Sequence, residues 1–320
     1  MRFLGARAAS PAPTRAEASL ATPRAELRGL VLHVRGAMGE RVGERRFPGR
    51  PQPAGIELEA YAAYAPGDDL RHLDWNAVGR LDALLVRRFT AEREVLVHLL
   101  VDCSASMAVP VGDGKLAAAR ELAMALAQVA LAGNDAVRVT LLGGDAAPRA
   151  SPVHRQGWRS AQRGSSLLRL AELLAAADAC GALALGAALE DHARRHPRPG
   201  AALIISDFMT DPAELERGLL ALRARGYGVV LLHVIGAGEL EPGRVFRHGV
   251  LRDVESGATH PIALTRTALE RYRALLAGHL EALQALATRA QATYARLSTD
   301  STVTEFVTGE LVRAGVVRRR

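Results

Sequence analysis

The chain has 320 residues, 49% hydrophobic and 23% charged, a balance with which one large or two small domains can bury a sizeable core. The net charge is +7 and the pI about 10.2, but aromatic residues make up only 4% and the arginines are scattered, so nucleic-acid binding is not favoured. Two cysteines, Cys103 and Cys180, are too few for a disulfide framework and lack metal-ligand spacing, and no run reaches the ~18 apolar residues of a membrane helix.

Residues 1–27 are rich in Pro and Ala, lack the apolar core of a signal peptide, and read as a disordered leader. With neither signal nor span, the expected location is the cytoplasm. Lys115 is the only lysine; abundant Ala, Arg and Gly around so little Lys read as the coding bias of a GC-rich genome. Residues 28–94 carry short apolar runs, GLVLHV and GIELEAYAAY, between Gly and Pro, which predicts a small β-rich lobe. The lobe closes on YAPGDDLRHLDWNAVGRLDALLVRRF, with a turn at PGDD, one or two helical turns over RHLDWNAVGR and a strand at ALLVRRF.

From residue 95 to 240 strands alternate with helices. VLVHLLVD is a buried strand, KLAAARELAMALAQVALAG a helix stopped at Gly133, DAVRVTLLG a strand and AAPRASPV a weaker edge strand. SSLLRLAELLAAAD and LALGAALEDHARRH are helices, and AALIISD is a further strand. DPAELERGLLALRARG is a helix opened by Asp211 and Pro212, and YGVVLLHVIG comes next as a strand. The alternation predicts an α/β fold: a doubly wound, mostly parallel sheet with helices on both faces. Beyond it, HGVLRDVESGATHPIAL predicts a hairpin, ALERYRALLAGHLEALQALATRAQATYARL one long helix, and STDSTVTEFVTGELVRAG a capped final helix. Residues 241–320 are expected to complete the small lobe.

Two of the predicted strands end in aspartate, Asp102 and Asp207. In an open parallel sheet, sites form outside the carboxyl ends of the strands. Ser104 and Ser106 come after Asp102 at alternate positions. Two carboxylates and two hydroxyls are hard oxygen ligands that suit octahedral Mg²⁺ or Mn²⁺, and such an ion removes the repulsion between the acids. The competing reading is that Asp102 and Ser104 only hydrogen-bond and cap the next helix.

This arrangement resembles the von Willebrand factor A-type fold, whose D-x-S-x-S loop, middle-loop threonine and later aspartate form a metal-ion-dependent adhesion site. The resemblance implies Asp102, Ser104, Ser106 and Asp207 as metal ligands. The stretch matching the middle loop, CGALALGAAL, has Leu183 or its neighbour where the threonine belongs; water, Asp178, Ser165 or Thr210 are the substitutes. A narrower resemblance runs from about residue 28 to residue 315. The PGDD-to-DW block, then VHLLVDCSASM, then ALIISDF, is similar to the bacterial family called domain of unknown function 58. It implies a non-enzymatic protein-interaction module, partner of a MoxR-type AAA+ ATPase in chaperone-like assembly on an unknown protein client. In the block itself, Asp68, Asp69, Arg71 and Asp74 read as a turn and salt-bridge network and Trp75 as a plug for a hydrophobic seam; a docking surface for the ATPase is the other reading.

The enzymatic alternative is phosphoryl transfer with Asp102 as nucleophile. Phosphatases of the haloacid dehalogenase type need an acid two positions on, and here Ser104 stands there. No P-loop, no G-x-G-x-x-G after a strand and no G-x-S-x-G elbow is present. HARRH places His192 and His196 one helical turn apart with no third ligand nearby in sequence, and reads as a solvated helix face.

Overall fold

The computed structural model describes residues 20, 22, 24–34, 56–65, 73–81, 83–91, 95–143, 149–150, 160–245, 248–252 and 258–320. In chain order the elements are β1 (Leu30–Leu32), β2 (Ile56–Ala63), α1 (Trp75–Leu81), β3 (Leu85–Ala91), β4 (Leu96–Asp102), α2 (Lys115–Ala132), β5 (Ala136–Leu142) and β6 (Arg149–Ala150). They continue with α3 (Ser160–Ala175), α4 (Leu185–Arg195), β7 (Ala201–Ser206), α5 (Pro212–Ala224), β8 (Gly228–Ile235), β9 (His248–Arg252), β10 (Thr259–Ala263), α6 (Arg266–Arg289), β11 (Thr293–Ser298) and β12 (Val317–Arg319). Short helical turns lie between some of them.

Six strands form one sheet in the order β11-β8-β7-β4-β5-β6. All neighbours are parallel except the two-residue edge strand β6, which runs antiparallel to β5. β4, β7 and β8 are near-continuous apolar runs because both faces of a parallel sheet are covered by helices. Alternation divides each strand between two cores. Val97, Leu99, Val101, Leu203, Ile205, Val230 and Leu232 join the core that α2 and α3 build. Leu100, Ile204, Val229 and Leu231 join the core that α4, α5 and α6 build. α4 and α5 touch backbone to backbone at Gly186 and Gly218, where a Cβ on Gly218 would meet the Gly186 carbonyl oxygen at 2.7 Å. The Asp211 cap of α5 is as expected: its carboxylate accepts from Ala213 N at 2.7 Å, with Pro212 in the first turn.

One predicted helix is two elements. α6 stops at Arg289, Gln291 turns the chain with φ 52°, and Thr293–Ser298 pairs in parallel with β8. The helical periodicity fails there because TYARLS alternates, burying Ala295 and Leu297 and exposing Arg296. The final helix is capped as expected. Thr302 and Glu305 exchange backbone-to-side-chain bonds at 3.2 Å each, and the chain passes through one π turn at Phe306–Glu310 before β12 pairs with β1. β9 and β10 form the expected antiparallel hairpin.

By contact, Glu44–Glu94 form one unit, and Met1–Gly43 with Val95–Arg320 form the other. β11 and β12, from the segment expected in the small lobe, are strands of the larger unit. Within the smaller unit β2 and β3 pair antiparallel with a register shift between Leu58 and Ala60. Among the described residues, no helix is long and apolar enough to cross a membrane.

Candidate functional site

The sheet order sets the place of the site. From β4 the chain moves to β5 on one side, and β7 returns to lie on the other side of β4. In open α/β sheets such a switch point, beyond the carboxyl ends of strands like β4 and β7, is where ligand sites form. Val101 pairs with Ile205, so Asp102 and Ser206 end adjacent strands side by side, with Asp207 next. The two acids predicted from strand ends therefore do meet at one rim.

Asp102 is buried. Its Oδ1 accepts from Ser104 N at 2.8 Å and from Ser104 Oγ at 2.6 Å. Its Oδ2 accepts from Ser206 Oγ at 2.6 Å, and Ser206 Oγ in turn accepts from Phe208 N at 2.9 Å. Ser106 Oγ lies 3.0 Å from Ser104 Oγ. Burial, then the nearby Asp207 charge, pushes the Asp102 carboxyl up to about 6 despite the serine bonds. Asp207 Oδ1 accepts from Met209 N at 3.3 Å, and its Oδ2 accepts from Lys115 Nζ at 2.8 Å. The same ammonium donates to Glu239 Oε1 at 2.6 Å. Glu239 Oε2 accepts from Gly236 N at 2.7 Å, and Asp113 Oδ2 accepts from Gly238 N at 2.7 Å, which ties the loop before α2 to the loop after β8. Lys115 is held above the ordinary lysine range: burial works against it, and the Asp207 and Glu239 charges overcome that.

The middle loop reaches the rim through its backbone. Cys180 N donates to the Cys103 carbonyl at 3.0 Å and Ala105 N to the Gly181 carbonyl at 2.8 Å. Leu183, at the position of the expected threonine, packs instead against the α4–α6 core. Thus Asp102, Ser104, Ser106 and Asp207 come together, but each oxygen of both carboxylates already accepts from a protein donor. The donors that meet these four oxygens are the Lys115 ammonium, the Ser104 and Ser206 hydroxyls and the backbone N–H groups of Ser104 and Met209. Among the described residues, no group of three or more His, Cys, Asp and Glu is arranged to hold a metal ion.

Three members of this rim lie outside the residues expected from sequence: Ser206, Lys115 and Glu239. Ser206 and Lys115 each left a signal, a hydroxyl directly before the strand-end acid and a solitary lysine just past the D-x-S-x-S turn. Glu239 had none, since its place depends on how the loop after β8 folds back. The loops also raise two apolar side chains into solvent, Val111 at 89% and Met209 at 66% exposure.

Of the PGDD-to-DW block, Asp68, Asp69 and Arg71 lie outside the described residues. Asp74 is buried and caps α1, its Oδ1 accepting from Asn76 N at 3.0 Å. Trp75 is 69% exposed. Cys103 is the buried small thiol expected, and Cys180 is exposed. The solvated-face reading of HARRH is overturned. His192 is buried, and its Nε2 lies 3.1 Å from Nδ1 of buried His98 on β4. His196 takes a 2.6 Å bond from Arg138 at its Nδ1, and Tyr227 packs edge-on against His98. The third histidine was invisible because it lies 94 residues away in the chain.

The family described as "Protein of unknown function DUF58" matches residues 60–281. Uncharacterized proteins of Mycobacterium bovis and Mycobacterium tuberculosis are 30% identical over 216 residues, 68% of this chain. The match spans 66% of those relatives, just under two thirds of their length. Among solved structures, a conserved hypothetical protein BatB from Bacteroides thetaiotaomicron is similar with a TM-score of 0.41 and 19% identity, over 69% of this chain and 98% of that one. An aerotolerance-related membrane protein from Bacteroides fragilis gives a TM-score of 0.41 and 16% identity, over 68% and 99%. At that level of likeness neither structure bears on function here.

Proposed function

We propose, from the premise that this chain belongs to the family described as protein of unknown function DUF58, that it is a non-enzymatic protein-interaction module. In this reading the sheet is of von Willebrand factor A type, and the rim at Asp102 and Asp207 is the surface that engages a MoxR-type AAA+ ATPase in chaperone-like assembly of a protein client. The observation that carries it is the composition of the rim. A buried, bonded polar centre is followed in the chain, on the loops after β4 and β7, by exposed Val111 and Met209. Exposed apolar side chains around a rigid polar centre are what a partner surface desolvates on docking.

Two features weigh against the nucleophile reading. Asp102 is buried with both carboxylate oxygens bonded, and the position where a phosphatase holds its acid is filled by Ser104, itself a donor to Asp102. A hydrolase assay with a generic phosphate ester is expected to show no turnover dependent on Asp102.

The test of docking is a pull-down between this chain and the purified MoxR-type ATPase of its host. Met209→Asp or Val111→Asp is expected to weaken capture at least about tenfold, the effect of ~1.4 kcal/mol at an interface, without changing the melting temperature. Wild type that captures nothing, or variants that capture as well as wild type, would reject the rim as the docking surface.

A further inference from the structure

Lys115 is the chain's only lysine among 41 basic residues, and it is 1% exposed. Its position is costly twice over. It is the first residue of α2, where the helix dipole disfavours a cation. Its ammonium is desolvated, a penalty that only close opposite charges offset. Those charges are Asp207 at 2.8 Å and Glu239 at 2.6 Å, and Glu239 is itself fixed by the Gly236 backbone. An arginine fork would not serve here. Lysine is a compact point charge with rotatable donors, closer to a metal ion in what it offers a pair of carboxylates.

We propose that Lys115 is the fixed cation of the rim, standing where a divalent ion would otherwise neutralise the acids, so that this chain excludes Mg²⁺ and Mn²⁺ from the Asp102–Ser104–Ser106–Asp207 cluster. The lysine is the residue that sets ion specificity, and removing it creates a metal site rather than destroying one. The charge logic is direct. With the ammonium in place, an entering ion meets a fixed positive charge on the carboxylate it needs; without it, Asp207, beside Asp102, is freed together with the Glu239 that shared its ammonium.

The experiment is titration of the metal-free chain with Mn²⁺, monitored by loss of the free-ion electron paramagnetic resonance signal. It uses the chain alone, so it stands or falls apart from the docking reading. Wild type is expected to leave the signal unchanged into the millimolar range. Lys115→Gln is expected to bind at least about tenfold tighter, and adding Asp102→Asn to that variant is expected to abolish the gain. Should Lys115→Gln lose its circular dichroism spectrum, Lys115→Gln with Glu239→Gln, which leaves one unpaired acid fewer, is titrated in its place with the same expectation. Wild type binding Mn²⁺ in the micromolar range and losing it in Asp102→Asn would overturn the proposal. So would equal affinity of wild type and the lysine variants, because the lysine would then not be what keeps the ion out.

Discussion

Acid should unfold this protein through two histidines far in sequence from each other. His98 and His192 are buried against one another, with Arg138, His196 and Tyr227 packed around them. Burial first, then the neighbouring positive groups, pushes His98 down to about 2 and His192 to about 3, from an ordinary 6.5. Well above pH 6.5 both are neutral whether folded or unfolded, and full stability is present. As pH falls below 6.5 the unfolded chain takes up protons that the folded chain refuses, so stability is lost progressively down to the folded values. At pH 5 each histidine costs about 2 kcal/mol, about 4 kcal/mol for the pair, out of a typical ~5–15 kcal/mol. Asp102 acts in the opposite sense, since a carboxyl raised to about 6 gains a proton in the folded state first. The pair is therefore isolated by difference. Urea unfolding monitored by circular dichroism is measured at pH 7 and pH 5 for wild type and for His98→Leu with His192→Leu. Wild type should lose about 4 kcal/mol more between the two pH values than the variant does. Parallel losses in the two proteins would refute the neutral-pair account.

Two further substitutions test the packing and the rim. Gly218→Ala pushes a methyl into the Gly186 backbone and the Leu189 side chain, and should cost about 1–3 kcal/mol, read as a lowered melting temperature; an unchanged value would mean α4 and α5 can separate freely. Ser206→Ala removes the only hydroxyl that reaches Asp102 Oδ2 among the described residues and should cost about 1–3 kcal/mol in urea unfolding, with the Asp102 carboxyl moving further up by NMR titration. A carboxyl that stays in place would show that Ser206 does not bond the ionised form.

Legibility in the sequence depends on which features are local. Strand ends are local, but the adjacency of β4 and β7 rested on the resemblance to the von Willebrand factor A-type fold, and with it Asp102, Ser104, Ser106 and Asp207 were legible as one cluster. Lys115 was seen but explained by composition, because nothing within a helical turn of it distinguishes a buried lysine from a solvated one. Its partners lie 92 and 124 residues onward. The same distance hid His98 from HARRH. At Thr293–Ser298 the failure was one of period: an Ala-rich helix runs into six alternating residues with only Ala290, Gln291 and Ala292 between, and none is a strong stop signal.

The late arrival of β11 bears on how the polypeptide is made. β8 is buried along its whole length, yet the strand that satisfies its outer edge leaves the ribosome about sixty residues later, beyond the hairpin and α6. At ~5–20 residues per second the nascent sheet carries an open, apolar, unpaired flank for several seconds. A truncated chain ending within α6 would keep that flank permanently, and should self-associate through it.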